Sequence, residues 1–275
     1  MSGQCVISGG NILSRFVFPG HVIVADEEGS GHEAFRIGTG RRHQFTNYYE
    51  SLTANAQRLI TATLDRERTA DLFVLDRGHN LPRIILERSY DNFTSSPITV
   101  FDVTLPSSGT GSLDDAFGVV SEELAWYVRF PKVSAPYWRL KIPAIGSGIR
   151  PKIVGAHLST SFAFDPWKPT AADQTELGGD GGESDAGWQA LGSPWNRRSD
   201  TLRLQLPDLF SYEQARVAFR HWMKRRPVWY VPDEDDARNA CCIVRPPSVG
   251  GFRRGPQWYA HAAEIPYIEH EALNG

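Results

Sequence analysis

The sequence predicts a mainly β protein: an antiparallel, jelly-roll-type β-sandwich followed by a small α+β unit with one amphipathic helix. Three observations carry this. Residues 11–164 hold short alternating or β-branched stretches at regular spacing, separated by turn residues, which is the pattern of an antiparallel sandwich. The composition is rich in turn formers and aromatics (Gly 25, Pro 18, Trp 8, Tyr 9, Phe 14) and holds only 2 Met, which favours many short strands over long helices. After residue 200 a capped helical period appears among strands.

In chain order, Phe16–Val24 holds two apolar runs around Pro19-Gly20, and a polar stretch, Asp26–Arg42, follows with four glycines. Arg58–Leu64 carries Ile60, Thr61 and Thr63 and reads as a strand. Leu72–Leu75 is a continuous apolar run, which fits a strand buried on both faces, and Asp76-Arg77-Gly78-His79-Asn80 stops it. Arg83–Ser89 is the next strand. Thr99–Leu105 alternates Phe101, Val103 and Leu105 against polar positions, and Tyr137–Ile142 alternates Trp138, Leu140 and Ile142 against Tyr137, Arg139 and Lys141. Ile153–Phe162 closes the series.

Residues 165–200 read as a Gly/Pro-rich linker or interface loop, with Pro166, Pro169 and Pro194 and the cluster Gly178–Gly182. The domains expected are therefore 1–164, a sandwich; 165–200, the linker; and 201–275, the α+β unit. In the last, Thr201–Leu206, Val228–Val231, Cys241–Val244 and Ala262–Ile268 read as strands. Ser211 and Gln214 form a capping box for a helix that places Phe219 and Trp222 on one stripe and ends at Pro227.

The charge of −3 excludes a strongly basic nucleic-acid binder, and no apolar run approaches the ~20 residues that span a bilayer. Met1-Ser2-Gly3-Gln4-Cys5 lacks the basic and apolar regions of a secretory signal. Three cysteines, Cys5, Cys241 and Cys242, suit reduced thiols rather than a disulfide framework or a zinc site.

Each candidate for catalysis or cofactor binding has a simpler reading. Asp76–Asn80 is polar enough for chemistry, but no G-x-S-x-G nucleophile turn accompanies it, and it reads as a tight turn. Gly31-His32-Glu33 and Glu269-His270-Glu271 lack the i, i+4 histidine pair of a zinc hydrolase. Asp233–Asp236 lacks calcium-loop spacing. Asp114-Asp115 and Glu122-Glu123 are the acidic pairs a glycan hydrolase would need. Gly29–Ala34 matches a loose G-x-G-x-x-A with no βαβ unit after it, and G-x-x-x-x-G-K-S/T is absent. Arg41-Arg42 and Arg253-Arg254 read as interface or salt-bridging residues. No enzyme activity, metal or cofactor is expected.

The order of features in 11–164 resembles discoidin-like or galactose-binding-like sandwiches. The segments are Ala25-Asp26-Glu27-Glu28, Gly31-His32-Glu33-Ala34, Phe45-Thr46-Asn47-Tyr48, Leu86-Glu87-Arg88-Ser89-Tyr90-Asp91-Asn92 and Pro136-Tyr137-Trp138-Arg139-Leu140. That family includes sugar binders, lipid binders and structural copies. The whole chain also resembles tail-tip structural proteins of long-tailed bacteriophages, distal tail proteins above all. The carrying segments are Leu75–Leu81, Tyr137–Leu140, Arg225–Pro232 and Ala263–Glu271. In such proteins a ring-forming β-rich domain, often placed first, is joined to a carbohydrate-module-like sandwich. Here the sandwich half comes first.

The resemblance implies a virion structural protein of the tail tip, made in the host cytoplasm. It would act by assembly with itself as a ring-like homo-oligomer and with other tail proteins, with no nucleic acid and no membrane insertion. Trp167, Trp188, Trp195, Trp258 and Tyr259 are the interface candidates, since Trp and Tyr are enriched as interface anchors. The alternative is a carbohydrate-binding module that contacts the host surface glycan through Tyr48, Tyr49, Tyr90, Asp91 and Asn92.

Overall fold

Strands, from two to 18 residues long, make up most of the described part of the chain. In the computed structural model, the described residues are 5–39, 47–76, 79–105, 125–146, 148–164, 174–183, 189–206, 228–231, 241–244, 252–253 and 261–269. The strands in order are β1 (Cys5–Ser8), β2 (Val22–Ala25), β3 (Tyr49–Glu50), β4 (Arg58–Leu75), β5 (Arg83–Ser89), β6 (Ile98–Thr104), β7 (Trp126–Ile142), β8 (Lys152–Ile153), β9 (Ala156–Ser159) and β10 (Ser161–Phe164). They continue with β11 (Gln174–Glu183), β12 (Gln189–Leu206), β13 (Val228–Val231), β14 (Cys241–Val244), β15 (Phe252–Arg253) and β16 (His261–Glu269). A 3₁₀ turn, Ala34–Gly38, follows β2. Among the described residues no helix is long and apolar enough to cross a membrane. The chain divides into two units, Gly10–Ser161 and Met1–Gly9 with Phe162–Gly275.

The first unit is the sandwich. Its strand order is β2-β4-β7-β5-β6, antiparallel, with β9 also on β4. Alternation decides which face is inward: Ile60, Ala62 and Leu64 of β4, and Trp138, Leu140 and Ile142 of β7, are all buried. The two expected strands Arg58–Leu64 and Leu72–Leu75 are one continuous strand. The register of β4 on β7 shifts between Thr63 and Arg68 and again between Ala70 and Leu72, and such bulges bend a strand without ending it. Asp65-Arg66-Glu67, between the two expected strands, is a bend within one strand.

The bend makes the two layers. The first half of β4 lies between β2 and β7; the second half lies between β7 and β9. Along the sheet β4 and β6 are three strand spacings apart, roughly 14 Å. Yet the ring of Phe73, on the second half of β4, is 5.5 Å from that of Phe101 on β6. Phe101 also meets Trp126 and Phe130 of β7 at 6.2 and 5.8 Å. Only a sheet curled back on itself allows this, and the core fills the space between. Trp138, Tyr49, Phe73, Ile84, Leu86 and Leu140 are among its largest fully buried side chains, and each aliphatic one stabilises the fold by roughly 1.5–3 kcal/mol. Leu72–Leu75 is buried on both faces.

The second unit is an antiparallel sheet with the order β10-β1-β13-β14-β16-β12-β11, and β15 on β16. Two features differ from the sequence reading. Residues 5–8 belong to this sheet and not to the sandwich: Val6 lies opposite Val231, and Trp229 N–H donates to Ser8 Oγ at 2.7 Å. The sandwich is thus inserted between β1 and the rest of the sheet. Residues 165–200, read as a linker, hold β11 and most of β12, which pair from Gln174 opposite Ser199 to Glu183 opposite Gln189. Glycine lowers strand propensity, but the ladder with β12 supplies the backbone bonds, and a register shift between Gly179 and Gly181 absorbs the irregularity. The strands expected at 228–231, 241–244 and 262–268 are β13, β14 and β16. The helix expected over 211–226, with Phe219 and Trp222, lies outside the described residues.

Candidate functional site

The strand register separates the loop aromatics into two groups. Arg58 lies opposite Ile142 at one end of the sandwich, where Tyr48 and Tyr49 precede and form β3. Thr63 lies opposite Tyr137, and Tyr137 opposite Ser89, next to Tyr90. Five residues of strand, at ~3.4 Å each, put the two groups roughly 17 Å apart. The five carbohydrate candidates do not form one site.

At the first end, Tyr49 is fully buried and its hydroxyl donates to the Glu27 carbonyl at 3.0 Å. It is a core residue, which corrects its reading as a sugar contact. Its neighbour Tyr48 points the other way. Its ring stacks on His32 at 4.1 Å and 17°, and Lys152 Nζ sits 4.5 Å from its centroid. The imidazole and the ammonium cover part of the ring, which is half-buried. Desolvation, then the nearby Glu50 charge, pushes the Tyr48 hydroxyl pKa up. Below it, Arg58 Nη2 pairs with Glu27 at 3.0 Å.

At the other end, the loop after β5 is built on Asp91. Ser89 Oγ–H donates to Asp91 Oδ1, Ser95 N–H donates to Oδ2 at 3.1 Å, and the Ser95 hydroxyl donates to Oδ2 as well. Phe93 N–H closes the turn on Ser89 Oγ at 3.0 Å. Hydrogen bonds from Ser89 first, then Ser95, hold the Asp91 carboxyl well below the usual carboxylate range. Asn92 and Phe93 take φ of 57° and 62°, a left-handed conformation that side chains rarely adopt and that the surrounding bonds must enforce.

Tyr90 stands on this loop with 56% of its surface exposed. Its hydroxyl donates to the Ser134 carbonyl at 2.8 Å and accepts from Arg88 Nη1 at 2.8 Å, so the exposed ring is fixed at its far end. Arg88 also donates to Ser134 O at 3.1 Å, and its guanidinium carbon is 5.4 Å from the Tyr90 centroid. Arg139 lies 4.1 Å over the Phe93 ring while paired with buried Glu87 at 2.7 Å. Asn92 is exposed, and its amide makes no hydrogen bond among the described residues. Sequence reasoning chose Tyr90, Asp91 and Asn92 but missed Arg88, Arg139 and Ser134. Arg139 alternates with core positions on β7, while Arg88 ends the row of Ile84 and Leu86 opposite Trp138, and only strand pairing shows what they reach.

The remaining candidates separate as follows. Asp76 and His79 are buried; Leu81 N–H donates to His79 Nδ1 at 3.3 Å, and Asn80 bridges Arg150 O and Lys152 N–H at 2.8 Å each. Gly31 takes φ 78° in a turn closed by a Gly29–His32 bridge, with Glu28 Oε1 accepting from Ala25 and Ala34 N–H. Among the described residues no group of three or more His, Cys, Asp or Glu is gathered as a metal site. Trp195 sits on β12 opposite Gly178. Trp167, Trp188, Trp258 and Tyr259 lie outside the described residues, as do Arg41-Arg42, Asp114-Asp115, Glu122-Glu123, Asp233–Asp236 and His270-Glu271.

No family model matches the chain, and no curated protein matches it. Among solved structures it is similar to chitosan-binding module 1 of a chitosanase/glucanase from Paenibacillus sp. IK-5, at 16% identity and a TM-score of 0.42, over 55% of this chain and 98% of that one. A carbohydrate-binding module of Clostridium perfringens, solved with GalNAc-β-1,3-galactose, is 13% identical with a TM-score of 0.39, over 51% and 96%. A module from a family 31 glycoside hydrolase of the same organism is 14% identical with a TM-score of 0.41, over 51% and 91%.

Proposed function

We propose that the sandwich is a non-catalytic carbohydrate-recognition unit whose site is the Tyr90 loop. The observation that carries this is the fixed, exposed Tyr90 ring: its hydroxyl is held by two bonds, so the face offered to a ligand is already ordered. A sugar presents an apolar C–H face and a fringe of hydroxyls. A rigid aromatic takes the first at low entropic cost, and the exposed Asn92 amide and the Arg88 guanidinium suit the second. The Tyr48 ring is already stacked on His32 and beside Lys152. Calorimetry of the intact protein with glycans chosen from an array tests this. Binding is expected to be lost in Tyr90→Ala and kept in Tyr48→Ala. Loss in Tyr48→Ala alone, or no glycan binding at all, contradicts it.

A second reading concerns the other unit. A virion structural protein of a phage tail tip, assembling as a ring with itself and with other tail proteins, is supported by one feature. The sandwich interrupts a sheet built from both ends of the chain, so the sheet unit begins first, the order that the distal-tail resemblance implies. The two readings are compatible, one unit assembling and the other touching host glycan. Mass photometry of the protein and of purified virions tests the second; a stable monomer absent from virions contradicts it.

A further inference from the structure

The arginines of the sandwich are not treated alike. Arg58, Arg68, Arg83 and Arg139 each have a carboxylate oxygen within 3.0 Å. Arg88, half-buried, has none: it meets the Tyr90 hydroxyl and ring and the Ser134 carbonyl, and both bonds use Nη1. The acids beside it in sequence, and Asp65 across the sheet, are committed elsewhere. Asp91 accepts from Ser89 and Ser95, Glu87 is held by Arg139 and Lys141, and Asp65 by His21 and Arg68. A guanidinium drawn partly out of water without a counter-charge is unfavourable, and an anion that reaches it relieves that cost. Its Nε and Nη2 edge, unused among the described residues, is the fork that receives two oxygens of one oxyanion.

We infer that the Tyr90 site takes an anionic glycan, one carrying a carboxylate or a sulfate, with Arg88 as the residue that receives the charge. This rests on the reading of the Tyr90 loop as the glycan site. The sugar ring lies on Tyr90, and its charged substituent turns toward Arg88 beside it. A neutral sugar gives the guanidinium hydroxyl contacts and leaves it without a counter-charge.

The test is calorimetry on the intact protein at physiological salt with three probes: an oligogalacturonate, its methyl ester, and a sulfated galactose oligosaccharide. At least one charged probe is expected to bind about tenfold or more tightly than the ester, the scale of one charge-assisted bidentate contact. An effect of one charged probe and not the other assigns the group as carboxylate or sulfate. Arg88→Gln is expected to remove the charged probe's advantage, so that the ratio of charged-probe to ester affinity falls to about one. Arg88→Lys keeps a donor for Ser134, so it guards against loss of fold; it is expected to weaken the charged probe by a larger factor than the ester. Lys132→Gln, an exposed cation two residues from Ser134, is expected to change neither. Equal binding of all three probes through Tyr90 overturns this inference and leaves the glycan reading standing, and so does a loss in Lys132→Gln equal to that in Arg88→Gln. No Tyr90-dependent binding of any probe overturns both.

Discussion

Glu87 offers a quantitative test of how the sandwich holds its loop. Its side chain is 5% exposed although it sits on the outward row of β5, because Arg139, opposite it on β7, closes over it. Arg139 Nε and Nη2 both lie 2.7 Å from Oε2, and Lys141 Nζ is 4.0 Å from Oε1. Glu87→Ala removes the acid and leaves the Arg139 guanidinium, 17% exposed, with no carboxylate. Breaking a buried pair costs about 3–5 kcal/mol; the partial exposure of Arg139 places this one at the low end, about 3 kcal/mol. For a unit of this size that lowers Tm by roughly 6–12 °C. Arg139 also covers Phe93 at 4.1 Å, so the same change loosens the Tyr90 loop and weakens glycan binding. Differential scanning calorimetry of Glu87→Ala, Arg139→Ala and the double variant measures both single effects and their coupling, expected at roughly 2 kcal/mol. Single shifts within a degree or two, with no coupling, would refute the claim that this pair organises the outer face.

Two further outcomes follow from buried positions. Burial pushes His79 from its ordinary 6.5 to about 4, with Asp76 opposing; between those values the unfolded chain binds a proton that the folded chain refuses. Stability from this group is complete above pH 6.5 and lost as pH falls toward 4, roughly 3 kcal/mol in all. Urea unfolding across that window should show a shallower acid slope in His79→Gln, and an unchanged slope would remove His79 as the cause. Gly38→Ala would place its Cβ 1.9 Å from the Leu13 carbonyl oxygen, so the backbone must move. A loss of roughly 1–3 kcal/mol is expected on the same unfolding curves, and a variant as stable as the parent would contradict the packing described there.

What the sequence made legible was local. The alternation of Tyr137–Ile142 and the apolar run Leu72–Leu75 name their buried residues correctly, because burial follows the strand period. Non-local pairing was not legible. Nothing in Cys5–Ser8 shows that its partner is Val228–Val231, and that one pairing changes which unit comes first. Tyr48 and Tyr49 look alike as residue types, yet neighbours on an extended chain face opposite sides, so one is core and one is at the surface. Tyr90 was recognisable as a loop aromatic. The use of Arg88 was not, because it depends on Ser134, which the bend in β4 and β7 brings to it.

The central claim is that sugar is held at the Tyr90 end of the sandwich. A crystal structure of the intact protein, with the glycan that binds best in calorimetry, tests it most directly. The account predicts a pyranose ring lying on Tyr90, with polar contacts from Arg88 and Asn92 and the Asp91 turn unchanged. A glycan seated instead against Tyr48 and Lys152, or on the sheet of the second unit, would contradict it.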